Sequence, residues 1–191
     1  MYLFFDTETN GLPNNWSAPV TALSNWPRLV QIAWVLFDNK GNEIDSNQHI
    51  IKPEGFTIPQ QAVKVHGITT EKANKEGIDI LHSLETFNDQ IAKATHLVAH
   101  NINFDEMIVG AEFLRAGHEN PIPHKKRLCT MKNKRIINFC ALPGKYGFKW
   151  PSLSELHIKL FGIDFEGAHD AAADINATAR CFWELKKKGV I

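Results

Sequence analysis

Asp6 and Glu8 are two carboxylates separated by one residue near the start of the chain. They follow an apolar and aromatic run, Tyr2-Leu3-Phe4-Phe5, that has the character of a buried strand of about Tyr2 to Asp6. Side chains at i and i+2 of a strand share a face, so the two acids would lie side by side. Like charges at that range repel, and each would have a raised pKa unless a cation sat between them. A divalent metal ion is the usual remedy. The alternative is a strand end with two solvated acids ahead of a turn at Asn10-Gly11-Leu12-Pro13. This segment alone leaves both readings open.

Two further segments place acids where they would join such a pair. Asp105 ends the run His100-Asn101-Ile102-Asn103-Phe104-Asp105, in the first turn of the expected next helix. An acid there is also favoured by the helix dipole alone. In Gly167-Ala168-His169-Asp170-Ala171-Ala172-Ala173-Asp174, four residues separate His169 from Asp174. In one continuous helix the two would sit about 140° apart. A helix that begins after His169, with Asp170 as its N-cap, instead leaves His169 on a loop over the same place as Asp174. Three alanines keep side-chain bulk away from it. An ordinary surface or core histidine is the alternative.

Together, FDTETNGL (residues 5–12), HNINFD (100–105) and HDAAAD (169–174) resemble the DEDDh family of 3′→5′ exonucleases. This DnaQ-like group includes the proofreading subunit of bacterial DNA polymerase III, RNase T and oligoribonuclease. The resemblance extends from residue 1 to about 186, and Val65-His66-Gly67-Ile68-Thr69 and Ser152-Leu153-Ser154-Glu155-Leu156 share it. It implies an RNase H-like fold, with Asp6, Glu8, Asp105 and Asp174 as metal-binding carboxylates and His169 as general base. The tyrosine variant of the family carries Tyr where this chain has Asp170, so the histidine version is the better match. The resemblance further suggests that Thr9, Leu12, His66, Ile68, Asn101 and Phe104 receive the terminal nucleotide. For Leu12 and Phe104 the alternative is core packing.

Phosphodiester hydrolysis suits such a set. A nucleophilic water must be placed beside an anionic phosphate and a leaving 3′-oxygen must be stabilised, which two metals about 3.5–4 Å apart achieve. Four carboxylates balance two Mg²⁺, with Mn²⁺ as a substitute, and an imidazole of ordinary pKa suits proton removal near neutrality. The leading expectation is a 3′→5′ exonuclease on single-stranded DNA or frayed 3′ ends, working beside a DNA polymerase subunit if it proofreads. The same chemistry on RNA is the runner-up. A catalytically silent nucleic-acid-binding module and a hydrolase of small phosphodiesters are the other classes.

The elements that must position these residues read as one α/β domain over residues 1–191, a central mixed five-stranded sheet with helices on both sides. Leu29 to Phe37 reads as a strand, Asp38-Asn39-Lys40-Gly41 as a hairpin turn and Ile44 to Ile51 as its partner. One short helix is expected within Pro59 to Glu71. A helix from about Leu81 to Ala94 leads into a strand over His96 to Ala99, then a helix over Phe104 to Arg115. Ser152 and Glu155 have the capping-box spacing for a helix to Leu160. The last helix spans about Asp170 to Lys188, with Ile175, Ala179, Phe182 and Leu185 facing the core. Pro13 to Arg28 is a long loop carrying Trp16 and Trp26, a candidate rim or partner surface, with plain packing of its aromatics as the alternative and safer reading.

No apolar run approaches the roughly eighteen residues of a membrane span, and the N-terminal run is too short for a signal peptide. The three cysteines, Cys129, Cys140 and Cys181, lack metal-site spacing and suit a reducing cytoplasm. Net charge is zero, yet eight of the 21 Lys and Arg fall between Asn120 and Pro151 with no acid among them. Thirteen basic residues then remain against all 21 acids. Lys132, Lys134 and Arg135, followed by Phe139, Tyr146, Phe148 and Trp150, combine cations with rings, as a single-strand path requires. A solvated basic face with its aromatics in the core is the alternative.

Overall fold

The computed structural model describes residues 1–167 and 170–191. Its first strand, β1 (Tyr2–Thr9), alternates between two cores. Leu3 and Phe5 enter one apolar cluster and Phe4 enters another. The strand runs three residues past the expected end at Asp6, so Glu8 lies within it. β2 (Leu29–Phe37) pairs antiparallel with β1 and is buried on both faces, which explains its almost unbroken apolar run. β3 (Glu43–Ile50), polar and largely exposed, forms one edge of the sheet.

Helices α1 (Gln60–His66) and α2 (Thr70–Glu76) replace the one short helix expected between Pro59 and Glu71. Gly67, at φ 73°, ends the first, and the Thr69 hydroxyl caps the second. Then follow α3 (Ile80–Lys93), β4 (His96–Ala99) and α4 (Ile102–Arg115). The fifth strand, β5 (Lys126–Cys129), lies inside the basic stretch, where Lys and Arg hide its alternation. α5 (Lys134–Cys140), a small ribbon of β6 (Pro143–Gly144) and β7 (Gly147–Phe148), α6 (Leu153–Phe161) and α7 (Ala171–Lys187) complete the described elements. The capping box at Ser152 and Glu155 forms as its spacing predicts.

The main sheet is mixed, in the order β3-β2-β1-β4-β5. β1, β4 and β5 are parallel, so Glu8, Ala99 and Cys129 lie toward the same end of the sheet, where these strands finish. α3 and α4 cover one face through Leu84, Phe87, Ile91, Ile108 and Val109. On the opposite face α7 packs Ile175, Ala179 and Phe182 against Phe4, Ala33, Val35 and Val98. The two faces are therefore covered by different helices, and the α/β arrangement is that of the RNase H-like fold.

Candidate active site

Asp6, Glu8 and Asp174 converge. Each offers a carboxylate oxygen, and these atoms lie within 4.8 Å of one another. The first two share a face because β1 stays extended through Thr9. Asp174 reaches them from the first turn of α7, which starts where it does because the Asp170 side chain accepts from the backbone N–H groups of Ala172 and Ala173, both at 3.1 Å. Ala171, fully buried beneath that turn, lets the helix lie close to the sheet. His169 lies outside the described residues.

Asp105 is buried in the first turn of α4 and is not in that group of three. Its Oδ1 accepts from the backbone N–H of Thr7 at 3.1 Å and from the Thr7 hydroxyl at 2.7 Å. Thr7, between the two acids of β1, thus holds the fourth acid from the opposite face of the strand. Nothing in the residue pattern singled Thr7 out.

These acids bind protons tightly. Asp6 is held well above the usual carboxylate range, first by burial and then by the charges of Asp105, Glu8, Asp174 and Asp170. Burial, followed by Asp174, Asp105 and Asp170, pushes Glu8 to about 8. Asp105 rises to about 7 through burial, opposed by its bonds from Thr7. For Asp6 and Glu8, loss of hydration is the first cause and repulsion between neighbours the second. A cation among them would favour the carboxylate form.

A cavity of about 500 Å³ opens beside Glu8, walled by Thr7, Thr9, Leu12, His66 and Phe104 among others. Leu12 is 73% exposed, which removes it from the core. Phe104 is half-buried and packs its ring against exposed Trp16, with centroids 5.7 Å apart. The Thr9 hydroxyl donates to the Gly11 carbonyl at 2.7 Å, shaping the turn. His66 Nδ1 accepts from the Ile68 N–H at 3.1 Å, so in the neutral ring the proton is on Nε2. That Nε2 is buried and faces the Thr9 backbone, which offsets part of the effect of burial without meeting the geometry of a full hydrogen bond. Burial lowers the His66 pKa, which favours this neutral form. Ile68 does not wall the cavity; it packs with Val30, Ile58 and Ala73. Asn101, at the N-cap position of α4 in the left-handed region, φ 73°, does not wall the cavity, and its buried side-chain oxygen has no hydrogen-bond partner among the described residues.

Further structural features had no sequence signal. Buried Glu112 accepts from Arg28 at 2.9 Å, Arg115 at 2.8 Å and the Leu29 N–H at 3.0 Å, fastening the 13–28 loop to α4. Trp26 is core, whereas Trp16 is on the surface. His100 Nε2 donates to the Pro151 carbonyl at 3.2 Å and its Nδ1 accepts from Thr130 at 2.9 Å, so a neutral ring joins three chain segments. Burial lowers its pKa to about 4.

An RNase H-like sheet with acids gathered at the carboxyl ends of its parallel strands defines a nuclease-type architecture. Residues 3–182 match the RNase T family of exonucleases, and the chain belongs to that DnaQ-like family. It is 34% identical over 180 residues to the DNA polymerase III subunit epsilon of Treponema pallidum, covering 93% of this chain and 73% of that one. Identity to the PolC-type DNA polymerase III of Pediococcus pentosaceus is 26% over 191 residues; 97% of this chain is covered but only 11% of the polymerase. The chain thus spans about a tenth of the PolC-type relatives. Escherichia coli exonuclease I, solved with a dA16 oligonucleotide, shares the fold at a TM-score of 0.77 and 22% identity, over 97% of this chain and 40% of that one.

Proposed function

We propose that residues 1–191 form a single exonuclease domain that removes nucleoside 5′-monophosphates from the 3′ end of single-stranded DNA by two-metal hydrolysis. The convergence of Asp6, Glu8 and Asp174 within 4.8 Å carries this reading. The donor set fits hard divalent cations such as Mg²⁺, since it is all carboxylate and holds protons tightly in their absence. Asp6, Glu8, Asp105 and Asp174 would hold them. When bound, the metals supply a lowered pKa for the attacking water and charge compensation at the leaving oxygen.

The chain's own residues do the rest. His169, at the family's base position, takes the proton of the attacking water. Thr7 orients Asp105, and Asp170 fixes the turn that carries Asp174. The cavity beside Glu8 receives the terminal nucleotide, with Leu12 and Phe104 against the base and the His66 Nε2–H as donor. Exonuclease I, which was solved with DNA oligonucleotides, supports DNA as substrate. The polymerase III relatives support a polymerase partner. Three free cysteines fit a reducing cytoplasm, and among the described residues no helix is long and apolar enough to cross a membrane.

End-labelled single-stranded DNA, duplex DNA and RNA, incubated with Mg²⁺, Mn²⁺ or EDTA, test the proposal. Shortening from the 3′ end of the single-stranded DNA, dependent on metal and lost in Asp6→Ala, is expected. Degradation from the 5′ end, faster cleavage of RNA or activity that survives Asp6→Ala would overturn it.

A further inference from the structure

The β6–β7 ribbon carries side chains that hydrolysis at the acids does not use. Tyr146 at its tip is 91% exposed, Phe148 is 55% exposed and Trp150, just beyond, is 57% exposed. Large rings gathered in water on one short ribbon are unfavourable unless a partner covers them. Each of two rings has a cation on it: Lys132 Nζ is 5.0 Å from the Trp150 ring centroid and Lys145 Nζ is 5.2 Å from that of Tyr146. Lys134 and Arg135 are exposed in the first turn of α5. No Asp or Glu lies between Asn120 and Pro151. Three further cations of this stretch are already engaged, Lys125 on the carbonyls ending α3, Arg127 with Glu106 and Lys149 with Glu155.

A two-stranded ribbon holds its shape poorly by itself. This one is anchored. The Lys149 N–H donates to the Leu142 carbonyl at 3.0 Å, and the Lys149 ammonium pairs with Glu155 in α6. His100 holds the Pro151 carbonyl and also engages Thr130. His100 follows β4 and Thr130 follows β5, so the ribbon hangs from the carboxyl ends of those strands. That is the end of the sheet at which parallel β1 presents Glu8.

We propose that this ribbon is a stacking platform for nucleobases of a single strand whose 3′ end lies among the acids. Tyr146, Phe148 and Trp150 meet the bases, and Lys132, Lys134, Arg135 and Lys145 meet the phosphates. The assignment rests on the exonuclease reading of the acidic site. Rings accept any base, because every base has a π face, and the cations select a polyanion. The platform thus gives binding without sequence preference, outside the cavity beside Glu8.

Anisotropy of a labelled oligo-dT of about ten nucleotides, with the full chain in EDTA, reads binding without cleavage. Tyr146→Ala and Trp150→Ala should each weaken it roughly tenfold. Tyr146→Phe and Trp150→Phe should keep most of the affinity, which separates ring stacking from loss of fold. Charge reversal at Lys134 and Arg135 should flatten the salt dependence. In Mg²⁺, the preference for the long oligonucleotide over a dinucleotide should fall in the alanine variants. Wild-type affinity in the Tyr146→Ala/Trp150→Ala double variant would overturn the platform and leave the rings to another partner, such as a protein. Cleavage without ring-dependent binding sinks the platform alone. Ring-dependent binding without cleavage sinks the exonuclease reading alone.

Discussion

Glu8 shows what the acidic site costs the protein without a cation. Its pKa rises from 4.5 to about 8 on folding, so between those values the native state holds a proton that the unfolded chain releases. The resulting stability is present below pH 4.5 and lost as pH rises through 8. Asp6 shifts in the same direction. In EDTA the melting temperature should therefore fall from about pH 5 to pH 8, and Glu8→Gln should flatten the fall. Excess Mn²⁺ should reverse it by binding the folded state. A melting temperature that climbs over this range in EDTA would contradict the site as described. Thr7→Val removes the 2.7 Å hydroxyl bond to buried Asp105. The expected cost is about 1–3 kcal/mol in denaturant melts, together with a further rise of the Asp105 pKa. His169→Ala should slow cleavage by about 10²–10⁴-fold in single-turnover assays.

At the scale of the element, caps and clamps decide where the acids point. Asp170 accepts two backbone N–H groups at the start of α7, one turn from Asp174. Asp170→Ala should cost about 1 kcal/mol in a denaturant melt. Weaker metal binding, read by calorimetry, should accompany it, because the frayed turn carries Asp174, one of the proposed ligands. Glu112 joins Arg28, Arg115 and the start of β2, so one side chain fixes both the long loop and α4. Its partners are partly exposed, which discounts the pair. Glu112→Ala should still lower stability by about 2 kcal/mol, or a melting temperature by roughly 6 °C, since it leaves two guanidinium groups unmatched. Glu112→Gln should lose less.

At the scale of the molecule, the site exists only where two layers meet. α7 carries Asp174 on one face of the sheet, α4 carries Asp105 on the other, and β1 lies between them. Docking of α7 depends on Phe182, whose ring meets Phe4 at 5.2 Å, in the same packed cluster as Ile175 and Ala179. Phe182→Ala should cost about 3–5 kcal/mol, read as a melting temperature lower by about 10 °C. Metal affinity should fall with it, because the helix that Phe182 docks carries Asp174.

Local chemistry made much of this legible before folding. The strand period shows that Asp6 and Glu8 share a face, Ser152 and Glu155 mark a helix start, and Asp170 caps α7, because each depends on neighbours in the chain. The ordered acid motifs sufficed to place the family. β5 and α5 were hidden because Lys and Arg in the basic stretch mask their apolar faces. The single helix expected between Pro59 and Glu71 became two because Gly67 reverses the chain within it. Only the tertiary structure decided that Leu12 is exposed, that Ile68 is core and that Trp16 and Trp26 part company. It alone brought Asp174 across more than 160 residues to Glu8, and set Asp105 against Thr7. Periodicity encodes which way a side chain points from its own element, whereas meeting distances depend on how separate elements pack. So the pairing of Asp6 with Glu8 belongs to the sequence, and the acidic centre that they share with Asp174 belongs to the fold.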